Sequence, residues 1–95
     1  MVSITLNIPF DMSSESWEKL SDVYRSMSGW QGYVIDGCPV WCSLIENKRN
    51  ISASVEPSGL LIEGDFSESE FNHWITVFMD SASLALGFQV KDAES

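Results

Sequence analysis

Apolar and polar residues alternate from Val2 to Ile8, and this period of two predicts a half-buried strand that stops at Pro9. A helix is predicted next, with Ser13 or Ser14 as its N-cap and Gly29 at its end. Its apolar positions recur at helical spacing, at Trp17, Leu20, Val23, Tyr24 and Met27.

The middle of the chain has the pattern of a β-meander. Short apolar or alternating runs cover residues 33–35, 40–45, 51–55 and 60–62. Asp36-Gly37 suits a type I′ hairpin turn, and Pro57-Ser58-Gly59 suits a second tight turn. Polar residues 46–50 are expected to form the loop that remains.

The second predicted helix has the clearest start signal in the chain. Ser67 and Glu70 have the spacing of a capping box, and Phe66 and Phe71 have that of a hydrophobic staple. An apolar stripe at helical spacing follows, and Gly87 is expected to end the helix.

A last alternating run, residues 88–90, predicts a closing strand. The order is then β-α-β-β-β-β-α-β, which predicts an α+β fold. We expect a mostly antiparallel sheet with two helices packed on one face, in a ferredoxin-like or related sandwich. A length of 95 residues suits a single domain over residues 1–95. Residues 1–5 lack the features of a secretory signal, so we expect a cytoplasmic protein.

The charge balance narrows the choice of partners. Fourteen acidic residues stand against five basic ones, giving a net charge of −9. This charge repels nucleic-acid phosphates and anionic membrane surfaces, so neither is expected as a direct partner. A basic protein would be attracted and its encounter accelerated. Solubility alone is the alternative explanation of the charge.

No set of residues has the spacing of a catalytic site, so we expect neither an enzyme nor a cofactor. His73 is the only histidine, and no serine lies in a G-x-S-x-G context. Cys38, Cys42 and His73 could supply three zinc ligands, but a second pair of ligands is missing. We expect the two cysteines to be reduced and structural.

Four carboxylates, Glu63, Asp65, Glu68 and Glu70, crowd around the start of the second predicted helix. Three interpretations compete. The carboxylates could compensate the helix dipole on a solvated face, or form a patch for a basic partner. They could also bind calcium or magnesium, although the EF-hand pattern is absent.

Two tryptophans are candidate anchors for a protein partner, since Trp is enriched among interface hot spots. Trp30 lies between glycines and Trp41 lies on a predicted strand, and both could instead belong to the core. Asp36 adds a carboxylate near them. The candidate partner-binding residues are therefore Trp30, Asp36, Trp41, Glu63, Asp65, Glu68 and Glu70.

In size, charge and composition, the whole chain resembles the small acidic bacterial immunity proteins that neutralise toxins. It also resembles phage-type inhibitors that mimic the charge of nucleic acids. The resemblance implies a tight complex with a cognate toxin domain, for instance a nuclease, whose active site would be occluded. The alternative is a homo-oligomeric structural or regulatory module, such as a homodimer, or one that binds a small ligand. An exposed Trp beside carboxylates would favour the first class, and a flat apolar sheet face the second.

Overall fold

The computed structural model of the chain describes residues 2–44 and 49–94. Two helices and five strands follow one another in the order β1 (Val2–Leu6), α1 (Ser14–Ser26), β2 (Trp30–Ile35), β3 (Cys38–Leu44), β4 (Arg49–Glu56), β5 (Gly59–Gly64) and α2 (Glu68–Leu86). The end of the predicted third strand, Ile45, and most of the predicted polar loop lie outside the described residues.

The strands form one antiparallel sheet in the order β1-β5-β4-β3-β2, and both helices pack on one of its faces. Strands β2 to β5 are the predicted meander, and β1 adds to it beside β5. Helix α1 therefore connects the two opposite edges of the sheet, whereas a ferredoxin-like unit is built from split βαβ pairs. The predicted α+β sandwich is confirmed, and its strand order is a related one.

The predicted helix caps and turn residues have the expected geometry, apart from the end of α1. The Oγ atoms of Ser13 and Ser67 accept hydrogen bonds from the third backbone N–H beyond them, at 3.2 and 3.3 Å. Gly87, in the left-handed conformation, ends α2. Asp36 and Gly37 both have positive φ, as a type I′ hairpin turn requires. Helix α1 ends slightly earlier than predicted, with Met27 rather than Gly29 as its cap.

The closing strand predicted at residues 88–90 is wrong. The C-terminal segment runs beside β1 but forms an isolated bridge to it instead of a ladder. The side chain of Asn7 forms hydrogen bonds with backbone groups that would otherwise pair with β1 in a ladder. Its Nδ2 donates to the carbonyl of Gln89 at 3.0 Å, and its Oδ1 accepts from the N–H of Lys91 at 2.8 Å.

Trp41 lies at the centre of the core. Its side chain is 0% exposed, and its indole Nε1 donates to the carbonyl oxygen of Tyr24 at 2.8 Å. The ring centroids of Tyr24, Trp30, Trp74 and Phe78 lie 5.4, 5.6, 4.9 and 6.1 Å from that of Trp41. The prediction of Trp41 as a surface anchor is therefore wrong, because β3 is an interior strand and Trp41 lies on the face that the helices cover.

Replacing Trp41 by phenylalanine should destabilise the protein by about 2–4 kcal/mol, because the carbonyl of Tyr24 loses its indole donor and a cavity remains. The free energy of unfolding in urea measures this. Trp17→Phe is the control, since Trp17 is only partly buried, and it should cost about 1 kcal/mol or less. Equal unfolding of Trp41→Phe and the parent would contradict the central position of Trp41.

Candidate functional site

One end of the sheet brings together side chains from three parts of the chain. The strand register places Trp30, Trp41, Ile51, Gly64 and Val2 in one row across the five strands. Helix α1 ends just before β2, and α2 begins just after β5. The end of α1, the row of strand residues and the first turns of α2 therefore meet at this end.

A glycine sets how closely α2 approaches the sheet. A Cβ atom on Gly64 would lie 2.8 Å from Cδ1 of Phe71 and 3.2 Å from Cγ1 of Ile51. Distances this short do not leave room for a methyl group. The absence of a side chain at Gly64 therefore lets Phe71 rest on the strand and sets the position of the first turn of α2.

A β-bulge at Cys42 joins β3 to the segment that follows α1. Cys42 has a φ of 60°, its N–H donates to the carbonyl of Gly29 at 2.7 Å, and its thiol donates to the carbonyl of Ser28 at 3.5 Å. A Cβ on Gly29 would collide with Cys42. Burial raises the pKa of the Cys42 thiol, which favours its protonated form.

An open groove of about 770 Å³ lies between α2 and this joined segment, and we name it the α2 groove. Apolar side chains form most of its floor and walls: Met27, Cys42, Ile51, Phe66, Trp74 and Val77. Polar side chains from α2 line it as well: Ser69, Glu70, His73 and Ser81. Such a mixture of apolar surface and a few polar groups is typical of a binding site.

Arg49 lies beside the α2 groove, against two of its lining residues, Phe66 and Glu70. Its guanidinium is 5.5 Å above the ring centroid of Phe66, and its Nη1 is 3.7 Å from Oε1 of Glu70. The first contact has the geometry of a cation–π interaction and the second that of an ion pair. Arg49 therefore lies over an aromatic ring that also packs against the core.

Glu70 belongs to the helix cap as well as to the groove. The hydroxyl of Ser67 donates to Oε1 of Glu70 at 2.8 Å and accepts from its N–H. The pKa of the Glu70 carboxyl is lowered, first by the hydrogen bond from the Ser67 side chain, then by the Ser67 backbone and by Arg49. The capping box thus holds Glu70 ionised at the edge of the groove.

The predicted acidic cluster is divided between two faces of the molecule. Asp65, Glu68 and Glu70 are exposed around the start of α2, beside the α2 groove. Glu63 alternates with residues that face the helices, so it points to the open face of the sheet. Its neighbours across the strands are Ser3 and Ser52.

The other predicted partner-binding residues lie apart from one another. Trp30 is half-buried against Tyr24 and Tyr33, at the same end of the sheet as the α2 groove but outside its lining. Asp36 is exposed in the turn at the opposite end of β2. Of the seven candidates, the structure thus places Glu70 in the lining of the groove, with Asp65 and Glu68 next to lining residues along the chain.

The open face of the sheet is mainly polar across β1, β5 and β4. Apolar Leu61 lies there among polar neighbours: Ser3, Thr5, Ser52, Ser54 and Glu63. On β3, Val40 pairs with Ser52 on this face. Such a row of hydroxyl side chains lacks the apolar surface that permanent dimers bury. Among the described residues of β1, β5 and β4, the open face therefore lacks the flat apolar surface that would favour self-association.

Sequence reasoning missed the groove and its arginine. Nothing in the pattern around Arg49 indicates a partner, because Phe66 and Glu70 are distant along the chain. His73 lines the groove on α2, well exposed. Within residues 2–44 and 49–94, no three His, Cys, Asp or Glu side chains form a metal-binding group, and no helix is long and apolar enough to cross a membrane.

Comparison with known proteins returns nothing similar: no protein-family model, no curated protein and no solved structure matches the chain. The function must therefore be argued from the site alone.

Glu70 should make stability at the start of α2 depend on pH. Because its folded-state pKa is lowered, its contribution is present above its ordinary pKa and is lost as the pH falls through the folded-state value. We expect Glu70→Gln to be less stable than the parent at neutral pH and equal to it in acid. The free energy of unfolding, measured across this pH range, tests the expectation.

The control is Glu68→Gln, which removes one charge from the same helical turn and leaves the Ser67–Glu70 pair in place. Its pH dependence should be weaker than that of Glu70→Gln. Equal pH dependence in the two variants would mean that only charge near the helix N-terminus matters, against the role given to the pair.

Proposed function

We propose that this chain is a protein-binding inhibitor of the immunity-protein type. In the cytoplasm of a bacterial cell it would neutralise a cognate toxin by covering the toxin's active site. A nuclease is the toxin that best suits a net charge of −9, since its active site attracts phosphates and is therefore basic. The observation that carries the proposal is the α2 groove with carboxylates beside it.

The groove supplies what an inhibitor needs for affinity. Its lining includes partly buried apolar side chains, with Val77 46% exposed on the α2 side. Apolar anchors that fill such a groove are the usual centre of an interface, where single side chains contribute most of the binding energy. The partner would therefore insert apolar side chains here.

The negative charge would raise the association rate with a basic partner and select against acidic ones. Asp65, Glu68 and Glu70 carry three negative charges beside the groove, against one positive charge on Arg49. A basic partner would be steered to this end of the molecule, and acidic competitors would be repelled. The homo-oligomeric alternative has less support, because two copies with a charge of −9 repel each other and the open sheet face is mainly polar across β1, β5 and β4.

Co-expression tests the proposal. The products of the reading frames on either side of this gene are expressed from an inducible promoter, with or without this chain, and surviving colonies are counted. We expect one of them to be toxic alone, and the chain to restore growth and co-elute with it as a stoichiometric complex. A chain that forms homodimers and protects against neither product would favour the homo-oligomeric module.

Charge reversal tests where the toxin binds. Asp65→Lys with Glu68→Lys should slow association with the toxin by about tenfold at low salt, because steering to the groove is lost. Asp11→Lys with Glu94→Lys changes the net charge equally and lies near the opposite end of the sheet. Stopped-flow association rates compare the two pairs. Equal slowing would place the interface elsewhere.

A further inference from the structure

The arginine at the α2 groove differs from the other paired cations of the described chain. Lys19 pairs with Glu15 and Arg25 pairs with Asp22, each within one turn of α1. Arg49 reaches from the start of β4 to Glu70 on α2. It is therefore held by groups that the fold brings together at the groove.

Phe66 and Glu70 together form a cradle for a guanidinium group. The planar guanidinium stacks on an aromatic face and pairs with a carboxylate, a combination that the ammonium group of lysine matches poorly. Both contacts are present for Arg49, at 5.5 Å from the ring centroid and 3.7 Å from the carboxylate oxygen. We name these two side chains the Phe66–Glu70 cradle.

Arg49 is held loosely enough to be displaced. Its distance of 3.7 Å from Glu70 is too long for a hydrogen bond, and the two side chains are 41% and 52% exposed. Exposed ion pairs of this kind contribute little to stability. Asp65 and Glu68 leave negative charge at this end that Arg49 alone does not neutralise.

We propose that the α2 groove is the docking site for a protein segment with an arginine beside a large apolar side chain, and that this arginine takes the Phe66–Glu70 cradle from Arg49. The inference rests on the proposed function, because the segment belongs to the basic protein that the chain inhibits. The apolar side chain enters the groove between Met27, Ile51 and Trp74.

The size of the groove fits such a segment. From Ser69 to Ser81, the stretch of α2 that lines the groove is about 18 Å long at the helical rise per residue. About five residues of extended chain cover that length. The groove volume of about 770 Å³ lies within the range of binding sites that enclose most of their ligand.

Charge excludes the competing occupants. A second copy of the chain would bring another net charge of −9 to a surface that is already acidic. Anionic lipid headgroups and nucleic acids are repelled for the same reason. A cationic segment is the occupant whose charge complements the groove.

The test uses the isolated chain and a five-residue peptide, acetylated and amidated, with arginine between two leucines. Two matched peptides carry lysine or the neutral isostere citrulline in place of arginine. Shifts in the NMR signals of the Trp74 indole and of the first turn of α2 report binding. We expect the arginine peptide to bind in the millimolar range, the lysine peptide more weakly and the citrulline peptide weakest.

The decisive variant is Arg49→Ala. Removing the internal competitor should tighten binding of the arginine peptide, by up to about fivefold, since an exposed ion pair of this kind is worth no more. Arg49→Gln repeats the test with a longer side chain in case truncation disturbs β4. Glu70→Gln should weaken binding by a similar factor. The control, Arg25→Ala, makes the same charge change on α1 and should leave binding nearly unchanged.

Several outcomes would overturn the inference. These are weaker binding to Arg49→Ala, equal tightening by Arg25→Ala, equal binding of the citrulline peptide, shifts outside the groove, or no shift at about 10 mM peptide. Self-association of the chain through the groove, measured by sedimentation without peptide, would also overturn it. Since no toxin is present, failure here is distinguishable from failure of the co-expression experiment.

Discussion

The hydrogen bond from the Trp41 indole to the carbonyl of Tyr24 joins the helix layer to the sheet at the centre of the core, and the rest of the structure depends on it. Tyr24 stacks on Phe78 of α2, and Trp41 also contacts Trp74. Both helices are thus fixed against β3 through one aromatic side chain. Because aromatic pairs have preferred geometries, this contact sets orientation as well as distance.

The α2 groove follows from how the two helices are fixed. Helix α1 ends near Met27, and the bulge at Cys42 binds the next segment to β3. At the other side, the close approach of Phe71 to Gly64 holds the start of α2 against β5. The helices are therefore anchored on either side of Ile51, and the apolar surface between their anchors stays open. The groove is a consequence of packing and needs no movement to form.

How much of the fold and of the candidate site can be predicted from the sequence depends on how far apart the interacting residues lie in the chain. The cap of α2 was predicted because Ser67 and Glu70 are within one helical turn. The cradle was not, since Arg49 reaches Glu70 only through the pairing of β4 with β5. The alternation along β5 does indicate that Glu63 points away from the helices, so this division of the acidic cluster is contained in the sequence.

The burial of the two tryptophans has the same limit, because it too depends on which strands are neighbours. Trp30 and Trp41 are paired neighbours on adjacent strands, and both point toward the helices. They differ because β2 is an edge strand and β3 is interior, a distinction made by strand order alone. Local composition carries no information on strand order, so exposure could not be assigned to either residue from the sequence.

The position of Arg49 also explains how the apolar α2 groove and the carboxylates beside it can be neighbours in the free chain. Three carboxylates lie within six residues around the start of α2, where the helix dipole favours negative charge. Arg49 balances part of this charge, and its guanidinium lies over the ring of Phe66. Because the ion pair is exposed, it shields the groove without closing it. The same weak contact thus leaves the groove open to a stronger cationic ligand.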